Sequence, residues 1–261
     1  MKPLVVISKT NPASQNIKSA LLQAEKLQEK EAGFWVAPDF CMAEYDGEII
    51  SIVPMHDASF YIFASTHKSS SNTPAFTAHT PGNWGAADLG GEPRMLNAAF
   101  GSKVKAAAQK MKELNAGSLK WQVAIEADHH GPTVDKPILF VEIGSTEKEW
   151  NDENAGRIAA EGILAAIRST AAPPCYVGFG GSHYCPKFAP RVLDGNEAFG
   201  HIISGYAIEK DGVDEEMARQ ALEKNAEDIE GAMIDWKGIK QEPKQRLIAI
   251  LDGLGIKWQK A

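Results

Sequence analysis

Short apolar runs rich in β-branched residues alternate with amphipathic stretches along most of the chain. Residues 4–7 (LVVI) are consecutively apolar, as in a strand buried on both faces. The turn Asn11-Pro12-Ala13-Ser14 follows, with Ser14 as N-cap. After it, SQNIKSALLQAEKLQEK sets Ile17, Leu21 and Leu22 on one side and charges opposite, which predicts a helix. Residues 48–53 (EIISIV), 59–64 (SFYIFA) and 74–78 (PAFTA) predict three short strands, and PGNWGAADLGGEP at 81–93 a long functional loop. A lysine-bearing helix is expected over 101–116, and strands over 121–127 and 138–143. Thr146 and Glu149 have capping-box spacing, predicting a helix to about residue 169 that packs Ile158, Ile163 and Ile167. The run CYV at 175–177 enters GFGG, and 201–208 (HIISGYAI) predicts another strand. From Asp214 onward the pattern is charged and helical. The expected architecture is α/β, with a catalytic domain over 1–212 and a helical C-terminal appendage over 213–261.

Composition narrows the class without changing it. Of the 261 residues, 44% are hydrophobic and 23% charged, and such a chain buries enough surface to fold without a disulfide or metal. A net charge of −7 argues against membrane or DNA partners, though not against a local basic groove. Three scattered cysteines with no C-x-x-C pair fit a reducing compartment. The N-terminus lacks an apolar stretch long enough for a signal peptide, and no run approaches twenty apolar residues. The expectation is a cytoplasmic protein.

The histidines carry the chemistry. His56, His67, His79, His129, His130 and His183 each fall just past the carboxyl end of a predicted strand, the edge where ligands bind in open α/β sheets. Several neutral imidazoles and a carboxylate converging in a partly dry cleft suit zinc, with one position left for a water whose pKa drops to about 7. Glu142 shares a strand face with Ile138 and Phe140, where a carboxylate is unfavourable unless paired, hydrogen-bonded or metal-bound. Asp57 and Asp128, each beside a histidine, are either imidazole-orienting groups or turn residues. Gly180-Gly181 is either a plain turn or a source of backbone N–H groups for a phosphate or oxyanion. Ser182 and Cys185 have no triad context.

Taken together, HHGPT at 129–133, VEIGSTEKEW at 141–150, HTPGNWG at 79–85, GGEPR at 90–94 and FGGSHYCPKF at 179–188 resemble the archaeal and plant type of D-aminoacyl-tRNA deacylase. The opening VVISKTNPASQNI and FGHIISGYAIE at 199–209 resemble it too. The resemblance implies a three-layer α/β/α core with a mostly parallel or mixed sheet, similar to phosphorylase and peptidyl-tRNA hydrolase folds. It also implies zinc, and hydrolysis of the ester joining a D-amino acid to the terminal ribose of tRNA, in translation quality control. The expected metal set joins His67, from its place past a strand end, to His79, His130, Glu142 and His183, which match the family's motifs. The catalytic set is His129, His130, His183, Gly180, Gly181 and Thr133. Trp84, Tyr184, Lys187 and Arg94 are the expected substrate contacts, with Trp84 or Tyr184 stacking on the terminal adenine. Ser182 departs from the pattern, which has a third glycine there.

Binding tRNA at this net charge requires segregated lysines, and three groups qualify: Lys103, Lys105, Lys110 and Lys112; Lys187 with Arg191; and Lys237, Lys240, Lys244 and Arg246. The expected protein is a monomer acting on D-aminoacyl-tRNA. Two rival readings share parts of the pattern: a zinc amidase or peptidase on small molecules, and a non-catalytic nucleotide- or RNA-binding protein.

Overall fold

Leu4–Ser8 forms strand β1 with every residue buried, because neighbours flank it on both edges and side chains cover both faces. The computed structural model describes all 261 residues. After β1 come helix α1 (Pro12–Ala24) and strands β2 (Gln28–Glu31), β3 (Phe34–Val36), β4 (Cys41–Tyr45), β5 (Tyr61–His67) and β6 (Ala75–His79). The two-residue strands β7 (Gly82–Asn83) and β8 (Met95–Leu96) bracket the 81–93 loop. Then follow α2 (Gly101–Ala116), β9 (Gln122–Ile125), β10 (Ile138–Gly144), α3 (Glu147–Trp150), α4 (Glu153–Arg168) and β11 (Cys175–Phe179). The remainder is α5 (Ala189–Leu193), β12 (Ala198–Ile203), α6 (Gly205–Asp211), α7 (Glu215–Glu223), β13 (Ile229–Ile234), α8 (Gln241–Gly253) and β14 (Trp258–Lys260).

The central sheet is mixed and eight-stranded, in the order β2-β3-β4-β1-β5-β10-β6-β9. On one face Val5, Ile7, Ala64, Leu139 and Val141 pack against Ile17 and Leu21 of α1, Met111 of α2 and Ile158 and Ile163 of α4. A second sheet, β12-β11-β13-β14, is parallel throughout. One of its faces joins the α2 core through Phe199, Ile202 and Met233. The other packs Val177, Phe179 and Ile234 against Met217 of α7 and Leu247 and Leu251 of α8. No helix is long and apolar enough to cross a membrane.

The α/β class and mixed central sheet agree with the sequence reading; several elements differ. Residues 49–51 of EIISIV form a 3-10 turn rather than a strand, because Ile49 and Ile52, three apart, both cover the Tyr61–Phe63 face. Asn11, not Ser14, caps α1, and the Ser14 hydroxyl instead accepts from Ser8 N–H. The Thr146 capping box forms, but its helix stops at Trp150, and Asp152 caps a new one. Residues 201–208 split at Ser204, which ends β12 and caps α6. The tail also contains strands: β13, read as continuing a helix, pairs with β11 and forms an inner strand of the second sheet.

Candidate functional site

One face of the central sheet changes from aromatic to ionisable toward its β9 edge. Residues two apart on a strand share a face. Phe63, Ser65 and His67 therefore line up on β5, Phe140 and Glu142 on β10, and Thr77 and His79 on β6. The pairings Glu142 with Ser65 and with Thr77, and Ala78 with Ile125, bring these rows together and set Glu126 beside His79. Beyond β9 the chain runs along the second sheet: Ala127 N–H donates to the His183 carbonyl (2.8 Å) and Asp128 N–H to that of Ile202 (2.8 Å). The site thus forms where the two sheets meet.

Glu126, 1% exposed, is its centre. Its Oε1 lies 2.9 Å from His183 Nε2 and 3.2 Å from His67 Nδ1, and its Oε2 3.3 Å from His79 Nδ1. Glu142 Oε2 accepts from the Thr77 hydroxyl (3.0 Å) and lies 3.6 Å from His67 Nδ1. The outer nitrogens of two imidazoles meet phenols: His67 Nε2 with Tyr184 Oη (3.1 Å) and His183 Nδ1 with Tyr206 Oη (3.3 Å). The His129 ring centroid stands 4.5 Å from that of His79, 4.3 Å from His130 and 4.6 Å from His183.

Charge follows from this packing. Burial and the neighbouring His79 and His130 push His129 well below the usual histidine range. Burial and His79 push His130 down to about 4. Both are neutral near pH 7, the form in which imidazole binds metal. Burial opposes charge on His67 and His79 as well. Bonds to and charges on Glu142 and Glu126 outweigh it and raise both. Burial works against ionised Glu126 too, but His183, His79 and His67 more than reverse that and hold its carboxyl well below the usual range.

His129 Nδ1 and His130 Nδ1 face the carbonyls of Ala127 (2.8 Å) and Gly131 (2.6 Å), so each carries its proton there. His130 Nε2 is then an acceptor, and His79 Nε2, 3.2 Å away, its donor. That leaves His79 Nδ1 and Glu126 Oε2 buried and 3.3 Å apart without hydrogen-bond geometry. A shared proton or a cation is what this pair lacks. Three overlapping groups have ligand atoms within 4.8 Å of one another: His79, His129 and His130; Glu126, His129 and His183; and His67, Glu126 and Glu142. The cluster opens on a cavity of about 640 Å³, with His67, His129, His130, Glu142 and His183 at its inner end and Lys68, Trp150 and Leu89 among its outer residues.

His67, His79, His129, His130, His183 and Glu142 converge here, together with Tyr184; other expected residues do not. His56 stacks on Phe34 (4.3 Å) and bonds the Tyr45 hydroxyl, far along the sheet order from β9. Trp84 is buried, donates to the Gly212 carbonyl and packs on Phe179, so it cannot stack on a substrate base. Arg94 pairs with Asp214 (2.8 Å), tying the 81–93 loop to α7. The Thr133 hydroxyl accepts from Glu92 N–H and anchors the same loop. Gly180 N–H donates to Ile203 and Gly181 N–H to Gly238, so neither is available to an oxyanion. Lys187 is exposed on the loop after His183. The α2 lysines do not form a groove. Lys105 is buried against three carbonyls, Lys103 donates to the Ser169 carbonyl, and Lys110 and Lys112 pair with Glu113 and Asp194. Asp128 orients an imidazole, but that of the structural His201. The sequence reading missed Glu126 and Tyr206. Glu126 carried the signal that exposed Glu142, a carboxylate in an apolar strand sequence.

The chain matches the family model for D-aminoacyl-tRNA deacylase over residues 55–259. It is 36% identical to a D-aminoacyl-tRNA deacylase of Thermococcus kodakarensis, covering 98% of both chains. It is also 36% identical to one of Methanosarcina mazei, covering 98% of this chain and 91% of the relative. A crystal structure of a conserved protein of unknown function superposes with a TM-score of 0.92 at 31% identity, covering 99% of this chain and 95% of the other. On this evidence the chain belongs to the D-aminoacyl-tRNA deacylase family.

Proposed function

We infer that the chain hydrolyses the ester joining a D-amino acid to the terminal ribose of tRNA, the activity of its family, and that zinc assists it. The observation that carries the zinc reading is the buried pair His79 Nδ1 and Glu126 Oε2, left without hydrogen-bond partners among neutral imidazoles. Glu126, His79 and His129 would supply the nitrogen and oxygen donors zinc prefers, with His67 and Glu142 alongside. When bound, zinc supplies Lewis acidity toward the ester carbonyl and lowers the pKa of water. The protein's own groups do the rest. His183, its side chain 32% exposed at the cavity's inner end, takes the proton of the attacking water and returns it to the departing ribose oxygen. Glu126 holds His67 and His183 from one side while Tyr184 and Tyr206 hold them from the other, fixing ring orientation.

The test is release of amino acid from D- and L-aminoacyl-tRNA with and without a chelator. The expected result is rapid loss of the D-amino acid, abolished by chelation and restored by zinc, with the L-ester spared. Chelator-insensitive release would contradict the zinc reading alone; release of neither ester would contradict the activity.

A further inference from the structure

We propose that the carboxyl edge of the second sheet, from Tyr206 to Trp236 and Lys260, is the platform that holds the single-stranded 3′ end of the tRNA. The proposal rests on the deacylase reading and says where the nucleic acid lies. Strands β11, β12, β13 and β14 are all parallel, so their carboxyl ends share one edge. That edge carries the His183 loop, the start of α6 at Tyr206, the 235–239 turn and Lys260. Neighbouring strands stand about 4.8 Å apart, which puts β14 roughly 10 Å from β11, within the reach of a few nucleotides.

The edge is built as one rigid surface. Gly205 N–H donates to the Gly181 carbonyl (2.8 Å) and Gly181 N–H to that of Gly238 (3.1 Å). A Cβ on Gly205 would fall 1.8 Å from the Gly238 oxygen, so glycine is what lets these three loops close on one another. The Gly180-Gly181 turn, with φ of +103° and +85°, fuses loops rather than offering free donors.

Its chemistry is that of single-strand recognition, aromatic faces beside cations. Tyr206, 50% exposed, sits against His183. The Trp236 ring lies nearly parallel to Trp258 (11°, centroids 6.4 Å apart), with Lys260 Nζ 3.8 Å from its centre. Lys244, 4.6 Å from it, is buried and donates to the Trp236 carbonyl, so it braces the ring from within and the free cations are Lys260 and Lys237. The Lys260 contact is a surface cation–π pair, readily exchanged for a base on the ring and a phosphate on the ammonium. Lys237 is exposed beside it. The acidic groups of the turn are already engaged: Asp235 accepts from Lys237 N–H and Gly238 N–H, and Glu209 pairs with Lys240. In a chain of net charge −7 whose α2 lysines are all committed internally, this edge combines free cations, aromatic faces and contact with the site.

The experiment compares Lys237→Gln, Lys260→Gln and Trp236→Ala with the wild type on two substrates, D-aminoacyl-tRNA and D-aminoacyl-adenosine, which lacks the preceding nucleotides. Binding of uncharged tRNA is measured across a salt series alongside. The expected result is a rise in KM on tRNA of about tenfold for Trp236→Ala, unchanged turnover of D-aminoacyl-adenosine, and a salt slope reduced by about one for each lysine replaced. Unchanged KM and tRNA affinity in the two lysine variants, whose exposed side chains leave the fold intact, would overturn the platform. Equal loss on both substrates would also overturn it, by making the residues structural. If the wild type bound tRNA through this edge yet hydrolysed neither substrate, the deacylase reading would fail and the platform would stand.

Discussion

Burying a carboxylate beneath three imidazoles is unfavourable unless opposite charge stays beside it. Glu126 meets that condition through His67, His79 and His183, and the same contacts make it the hinge of the chemistry. Tyr206 acts one step further out. Tyr206→Phe keeps the ring but removes the bond to His183, so kcat on D-aminoacyl-tRNA should fall about tenfold with KM little changed. Steady-state kinetics check this, and an unchanged kcat would mean that His183 orients without the phenol. Glu142 was legible in the sequence because an acid interrupted an alternating apolar face. Glu126 interrupts the apolar run VAIEA in the same way, but only its register with β6, one residue past β9, shows that it lies beside His79. Trp84, Arg94 and Thr133 were misplaced for a related reason. A residue within a distinctive motif is conspicuous whether it holds a ligand or a loop, and only its partners tell the two apart.

At the scale of elements, the capping box at Thr146 offers a clean measurement. Burial alone would raise the Glu149 carboxyl, but bonds from the Thr146 hydroxyl and backbone N–H lower it. A depressed folded pKa contributes stability that is present above the unfolded pKa, near 4.3, and lost as pH falls through the folded value. Glu149→Gln should therefore flatten the stability profile below about pH 5, and Thr146→Ala should cost about 1 kcal/mol at pH 7. Denaturant melts across pH check both; a profile as steep in Glu149→Gln as in the wild type would contradict the assignment. The apolar stripe of α1 and the capping box of α3 were legible, and α2 over 101–116 was legible from its run of alanine and lysine, good helix formers, although no side chain caps it. Strand β2 was not, because all four of its residues are exposed and it exists only by pairing with β3. Strand β13 was hidden for the opposite reason. IEGAMI comes a few charged and polar residues after a charged helix, and its partner β11 lies some fifty residues earlier in the chain.

For the whole molecule, the consequence is that the C-terminal residues support the site. β13 pairs with β11, β11 leads into the His183 loop, and α8 closes the far side of the same sheet with Leu247 and Leu251. Leu247→Ala should destabilise the protein by about 2–5 kcal/mol, with secondary structure and activity lost in one transition. An early, separate melting of the tail that spared activity would show it to be an independent unit. The convergence of histidines from β5, β6, β9 and β11 was readable as strand ends. The second sheet that brings His183 to Glu126 was not, since that pairing depends on tertiary packing. The account stands most directly on single-turnover hydrolysis of D-aminoacyl-tRNA by Glu126→Gln beside the wild type. It predicts at least about a hundredfold slower release of the D-amino acid by a folded variant; a rate within a few fold of wild type would contradict it.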